Sequence, residues 1–566
     1  MMGNRIGVIL LMLTAAACQV EAPTVGGRSG PDKDTVAERV DNAAAFLIAH
    51  HAARRGDVSM AAENFTDALA DDPNNIRLLA RSFRALYLDG QIENAAALAS
   101  KLEQQGHPVS FGSEPIAAIS ARAGDWAGLE VVARHLNADI ASRQLAIVLE
   151  AWALAFQEQG DAGLSRLLDL KSATPEGNTG PPPHIMFSQS AAMLDYLGRS
   201  DEAVAAALLA LDQPGVSVGA ILSMVSVLAR NGAMTEAAEI IRTRLSSSFA
   251  KARIIADMTA GKSTLMQKPE EDDLMTAAVV ATGISDRSAL IGALARLRLA
   301  AYINPENDLL RYHLGNSLRQ INRVEEGLAL YRQIPKESPL YQPTMLIMAL
   351  HRSRVDDDFS AAAGLFDEML SADPENAEIW QYYGDAARRD ADYQQALQYY
   401  DQALALGGDA ARLEYKRGIT FDNLGQDDAT ETALRQSIEL DQSDAYALNY
   451  LGYWLLEHDG DPEEALALIR AAVTAQPRNG FFMDSLGWGY YRLGRYERAV
   501  LFLERAVSLR PVDPVIIDHL GDAYEKVGRL REAVFQWQHA LEKSHPDLDH
   551  ETVRAKIAAA EARLAP

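Results

Sequence analysis

From about Asn42 onward the apolar residues of this chain recur at helical spacing. The pattern predicts an all-α protein, and it also repeats with a period of 34. Gly384, Gly418, Gly452, Gly487 and Gly521 lie 34, 34, 35 and 34 residues apart. A second column of small residues follows 12 or 13 positions later: Ala396, Thr430, Ala465, Ala499 and Ala533. A third, Ala403, Ser437, Ala472, Ala506 and Ala540, comes seven positions after that. Small side chains are required wherever two antiparallel helices, or two successive pairs, approach closely. Larger residues, Tyr400, Leu434, Ile469, Leu503 and Trp537, are placed to fill the space between, and Pro374, Pro477 and Pro511 to end second helices.

These columns resemble the tetratricopeptide repeat. The clearest unit runs from Phe481 to Pro511, with Leu486, Gly487, Tyr490, Gly494, Ala499, Leu503 and Ala506 in register. Two units before the five carry Gly315 with Tyr331, then Ala362, Phe366 and Pro374. Gly56, Gly90 and Gly124 keep the same interval, as do Gly198 and Gly232. Degenerate units are expected over 137–170 and 274–307. The resemblance implies a right-handed α-solenoid of about 12–14 helix-turn-helix units. Two interruptions, Lys171–Pro183 with its triple proline and much of Ser247–Asp273, read as loop. The expected organisation is a signal peptide over 1–17, a lipid-anchored flexible tether over 18–41 and a degenerate block over 42–170. A middle pair over 184–246, an array over 274–545 and a capping helix over 546–566 follow. In the cap Val553, Ile557, Ala560 and Leu564 are helically spaced.

The extreme N-terminus reads differently. An apolar run from Ile6 to Ala17 is too short to span a bilayer as a stable helix and ends at Cys18, the only cysteine in 566 residues. The segment Ala15-Ala16-Ala17-Cys18 resembles the bacterial lipobox, although Ala15 stands where that motif prefers Leu; an ordinary secretory peptide cut nearby is the alternative. The resemblance implies acylation at Cys18 and, with Gln19 rather than an aspartate next, an outer-membrane location facing the periplasm. Gly26, Gly27, Gly30 and the flanking prolines describe the tether that follows.

Charge narrows the partners. A net charge of −25, spread along the chain, repels polyanions and makes nucleic acid an unsuitable ligand. With one cysteine no disulfide framework exists. Ala256 to Ser263 satisfies a loose phosphate-loop pattern ending in Lys262 and Ser263, but a helical pattern precedes it where such a loop needs a strand. His550-Glu551-Thr552-Val553-Arg554 starts like a zinc-protease helix and fails at Arg554, where the second imidazole belongs. His50 and His51 point about 100° apart on a helix. No catalytic, cofactor or metal constellation results, and a nucleotide-dependent enzyme at Lys262 stays only as a minor alternative.

What remains is a surface. In tetratricopeptide proteins the concave face is lined by defined positions of each first helix. Carried onto this chain, the resemblance assigns Arg412, Tyr415 and Asp422, then Tyr446, Asn449 and Tyr453, then Phe481, Asp484, Trp488, Tyr491 and Arg492. Tyr, Trp and Arg bury much area at little conformational cost, so this strip is the expected protein- or peptide-binding site. The alternative for each ring is packing between units. The Lys and Asn set by which chaperone-binding relatives clamp a terminal carboxylate is not reproduced. Leu448–Trp454, Asp484–Arg492 and Asp518–Tyr524 are similar to large proteobacterial tetratricopeptide lipoproteins. That similarity implies a non-enzymatic scaffold, an adaptor holding a periplasmic carboxyl-terminal processing protease and its substrates. The alternative it implies is a structural subunit of exopolysaccharide export or outer-membrane assembly machinery.

Overall fold

A computed structural model describes residues 33–138, 142–172, 183–246, 251–284, 290–543, 545 and 548–565. The signal peptide, Cys18 and most of the tether lie outside the described residues. Within them the chain is helical throughout, with thirty α-helices and no strand. Fourteen antiparallel pairs take twenty-eight of these helices; Lys251–Thr259 and the terminal His550–Leu564 stand apart.

The three small columns and their large companions do what the period requires, since every residue of all four is buried. The glycines of the first column are fixed by close approach. A Cβ on Gly384 would lie 2.5 Å from Tyr400, one on Gly418 2.7 Å from Leu434, and one on Gly521 2.5 Å from Trp537. Gly56, Gly90, Gly124, Gly198 and Gly232 share the interval for another reason. They turn the chain between paired helices with φ from +67° to +89°, a conformation costly for side-chain-bearing residues. Two glycine columns with distinct physical causes therefore run at the same period. A third regularity sits at helix starts: Asn376, Asp409, Asp444, Asn479 and Asp513 each accept backbone N–H groups of the next turn. Replacing such a cap by Ala typically costs ~1 kcal/mol.

Several boundaries differ from the sequence expectation. The first helix begins at Lys33, inside the expected tether, because the alanine-rich segment after Thr35 favours helix. Ser247–Asp273 is not mainly loop: it holds Lys251–Thr259, a short 3-10 turn at Thr264–Met266 and the start of Glu271–Ile284. Ile254, Met258 and Leu265 are buried there, so three spaced apolar residues suffice to order a segment without the repeat columns. Leu168–Ser172 is a 3-10 turn, Pro183 opens a helix, and 173–182 lies outside the described residues.

The chain divides into two compact units, one ending at Gly112 and one from Ser113, so the boundary falls inside the expected 42–170 block. The first holds two helix pairs packed on Ala49, Ala61, Leu79, Ala95 and Leu102. In the second, Glu271–Ile284 and Leu290–Ile303 pack back onto Arg143–Phe156 and Ser113–Arg122. Arg296 approaches Glu114 at 3.7 Å in the interior, and Arg122 lies 4.6 Å over the Tyr302 ring. This stretch thus closes on itself, around a cavity of about 750 Å³ whose wall includes Leu222, Val227, Leu265, Leu274, Leu309 and His313. Burial lowers the His313 pKa to about 4, so its imidazole is neutral near pH 7.

Candidate functional site

From Ala377 onward the array presents successive first helices: Ala377–Arg389, Ala410–Asn423, Ala445–Glu457, Gly480–Arg492 and Pro514–Lys526, then His550–Leu564. Each junction between them is bridged by polar side chains. Asp385 pairs with Lys416 at 2.5 Å. Asp422 accepts from Tyr450 Oη at 2.6 Å and Trp454 Nε1 at 3.0 Å. Glu457 accepts from Trp488 Nε1 at 2.8 Å and Arg492 at 2.9 Å. Asp484 holds His519 Nδ1 at 2.9 Å. Asp518 and Asp522 share Lys556 of the last helix at 3.0 and 2.7 Å. A carboxylate ladder thus runs along this face, one rung per unit.

The expected site residues are distributed over this ladder unequally. Tyr446 and Phe481 are the most open of the rings, at 53% and 49% exposure, with the Arg510 guanidinium 4.1 Å over the Phe481 ring. Arg412 and Arg492 are also exposed, Arg492 as a rung partner. Tyr415, Asn449, Tyr453, Trp488 and Tyr491 are half-buried. Tyr415 meets Tyr450 edge-on at 6.0 Å, and burial pushes its hydroxyl up to about 12. Asn449 Oδ1 is buried without a hydrogen-bond partner among the described residues. Asp484 is buried, at 8% exposure, and is given to His519.

Trp488 stands at the centre of the aromatic part. Its ring stacks on Tyr491 at 4.7 Å and 7° and on His519 at 4.2 Å and 18°. Burial opposes charge on His519, but Asp484, with Asp518 and Asp522 beyond it, outweighs that and raises its pKa above the ordinary value. Burial raises Asp518 as well, with Asp522 adding to it, against the partial relief of Lys556. Lys556 is raised: burial opposes its charge, and Asp522 and Asp518 overcome that. The arrangement offers planar apolar surface flanked by fixed charges, which suits recognition of a polypeptide.

His519, Glu457 and Lys556 were not singled out by sequence. The signal for His519 was weak: Asp484 and His519 are 35 residues apart, one repeat plus one position, an offset shared by the Glu457–Arg492 rung but not by the others. The other motifs resolve locally. The residue before the loose phosphate-loop pattern lies in the helix Lys251–Thr259, and the Lys262 and Ser263 amides both donate to the Asp257 carbonyl, closing that helix's end. His50 and His51 are exposed. Among the described residues no group of three or more His, Cys, Asp and Glu could hold a metal ion, and no helix is long and apolar enough to cross a membrane.

Comparison with known proteins agrees with this geometry. Tetratricopeptide repeat family models match residues 355–411, 415–480 and 483–514. The Photosystem I assembly protein Ycf3 of Acaryochloris marina is 30% identical over 123 residues, 21% of this chain and 74% of that protein. A TPR repeat-containing protein of Pseudomonas aeruginosa is 26% identical over 194 residues, 33% of this chain. Three of the curated relatives, that one included, are matched over only 10, 32 and 12% of their own length. Among solved structures, Cut9 with Hcn1 of the APC/C is similar over 85% of this chain and 96% of that one, at 18% identity and a TM-score of 0.37. The repeat columns, the helix pairs, the matching family models and the Ycf3 relative together make the chain a member of the tetratricopeptide repeat family.

Proposed function

We propose that this protein is a scaffold that binds other proteins or peptides along the first-helix face between Glu378 and Lys526. The observation that carries this reading is the Tyr491–Trp488–His519 stack, half-open at the surface and continued by the exposed Tyr446 and Phe481. Rings fixed in advance by neighbours lose little entropy when a partner covers them, so a few can supply most of the binding energy. The lipobox-like segment at Cys18 supports a periplasm-facing, lipid-anchored location. The likeness to large tetratricopeptide lipoproteins supports an adaptor that brings an envelope protease or cell-wall enzyme to its substrate by raising effective concentration. Affinity capture from solubilised envelopes, followed by mass spectrometry, tests this. The triple change Tyr453→Ala, Trp488→Ala and Tyr491→Ala should abolish capture of the main partner while circular dichroism stays nearly native. A folded triple variant that captures every partner unchanged would refute the assignment.

A further inference from the structure

In the C-terminal array small residues face large ones, as Gly384 faces Tyr400 and Gly521 faces Trp537. In the middle of the chain they surround a common space instead. Ser188 and Ala192 on the helix Pro183–Tyr196, Ala220 and Ser223 on Val218–Arg230, and Ala277 and Ala281 on Glu271–Ile284 all line the cavity of about 750 Å³. Each pair is three or four residues apart and so shares one helix face. The lining follows Val218–Arg230 from Gly219 to Arg230, roughly 16 Å at the helical rise per residue. Leu222, Val227, Leu274, Val280 and Leu340 are buried in its walls, and the volume falls in the range of small-molecule sites. The interior charges of the lining are satisfied by the protein itself. Arg230 pairs with Asp195 at 2.5 Å, Arg311 with Glu306 at 2.6 Å and Asp308 at 3.5 Å, and Asp273 accepts from Asn304 and Asn307 at 3.0 Å each. Lys268 stands at the exposed edge, 5.7 Å over the Tyr196 ring. Donors, by contrast, are left over in the wall. Trp152 Nε1 can only donate, and it donates to Gln189 Oε1 at 2.8 Å, which fixes the orientation of that buried amide. Neither the Gln189 NH2 nor the half-buried Ser223 hydroxyl has an acceptor among the described residues. A buried donor without an acceptor is costly, so both favour an oxygen from outside.

We infer that this cavity binds a small, uncharged and mainly apolar molecule that carries a carbonyl oxygen for the Gln189 and Ser223 donors. A carboxylate would bring a charge into an apolar space whose own charges already cancel, at a desolvation cost that the paired Arg230 and Arg311 do not offset. A plain hydrocarbon would fill the volume and leave both donors unmet. An elongated apolar body with a carbonyl meets the shape and the chemistry together. The cavity lies among residues 152–340, apart from the first-helix face between Glu378 and Lys526, so it gives the protein a second kind of ligand and does not depend on the scaffold reading.

The test is fluorescence titration of the full chain with 6-propionyl-2-(dimethylamino)naphthalene, a neutral rod-shaped dye with one carbonyl. Two dyes of the same body serve as comparisons: 2-(dimethylamino)naphthalene, which lacks the carbonyl, and 6-(dimethylamino)-2-naphthoate, which replaces it with a charge. The carbonyl dye should bind roughly fivefold more tightly than the first, the gain of about one hydrogen bond, and at least about tenfold more tightly than the second. Gln189→Leu should remove the advantage of the carbonyl dye and leave the affinity of 2-(dimethylamino)naphthalene unchanged. Ser223→Phe, which fills the space from another helix, should abolish binding of both, with circular dichroism as the check on folding. The triple change at Tyr453, Trp488 and Tyr491 should leave dye binding intact. Absence of binding, equal affinity for the carbonyl dye and either comparison, undiminished binding in a folded Ser223→Phe, or loss of binding in the triple variant would each overturn the inference. Should Gln189→Leu fail to fold, the three-dye comparison on the unaltered chain decides by itself.

Discussion

Gly487→Leu and Gly364→Leu are the same substitution, inside helices of 13 and 14 residues, and should act in opposite directions. A Cβ on Gly487 would stand 2.6 Å from Leu503 Cγ, 2.9 Å from its Cδ2 and 3.2 Å from its backbone nitrogen. The partner's backbone cannot rotate away, so the two helices must separate. Overpacking of this kind costs ~3 kcal/mol, and replacing Gly by Leu within a helix returns ~0.8 kcal/mol, leaving a net loss of about 2 kcal/mol. Gly364 has nothing within 4 Å of its virtual Cβ and faces solvent, so there only the helix-propensity gain of ~0.8 kcal/mol remains. Stability in a repeat array is local and passed between neighbours, so a single melting temperature would blur the contrast. Hydrogen exchange read by mass spectrometry resolves it. Protection should fall across 480–509 in Gly487→Leu and rise across 359–372 in Gly364→Leu. Equal shifts of the same sign would refute the assignment of the first glycine column to helix contact.

Three further outcomes follow from the same reasoning. Cys18→Ala should move the protein from the membrane fraction to the soluble periplasm, or stall its processing, as fractionation and blotting will show; a fully processed, membrane-bound variant would exclude acyl anchoring. His519 has its folded pKa above the ordinary 6.5, so its contribution is complete below that value and is lost as pH rises through the folded one. The 480–540 region should therefore be better protected at about pH 6 than at about pH 8, and Asp484→Asn should flatten that difference. Glu457→Gln removes the charge that holds Trp488 and Arg492; it should weaken partner capture by loosening the stack, with little change in helix content by circular dichroism.

The repeats were legible because their cause is local and periodic. The columns at Gly384 to Gly521 and their buried companions are sequence-fixed contacts between helices adjacent in the chain. The closure of Glu271–Ile284 onto Arg143–Phe156 was not legible, since it joins segments over a hundred residues apart with no shared pattern. Lys251–Thr259 escaped notice because it carries helical spacing but no repeat column. At the candidate site, the register placed Trp488, Tyr491 and Arg492 on one face, and the structure brings them together. It could not distinguish a ring or charge left open from one bound to the next unit, so Asp484 and Asp422, read as lining the open face, are instead held by the next first helix.

The central claim is that partners lie along the first-helix face of the C-terminal array. Photo-crosslinking with a benzophenone amino acid, introduced singly at Tyr446, Tyr453 and Arg492 on that face, tests it directly. The controls are Leu501 and Phe535, which are 63% and 64% exposed on second helices. In intact envelopes the first three positions should yield cross-linked partner bands and the two controls none. Bands from Leu501 or Phe535, with none from Tyr446, Tyr453 and Arg492, would contradict the account.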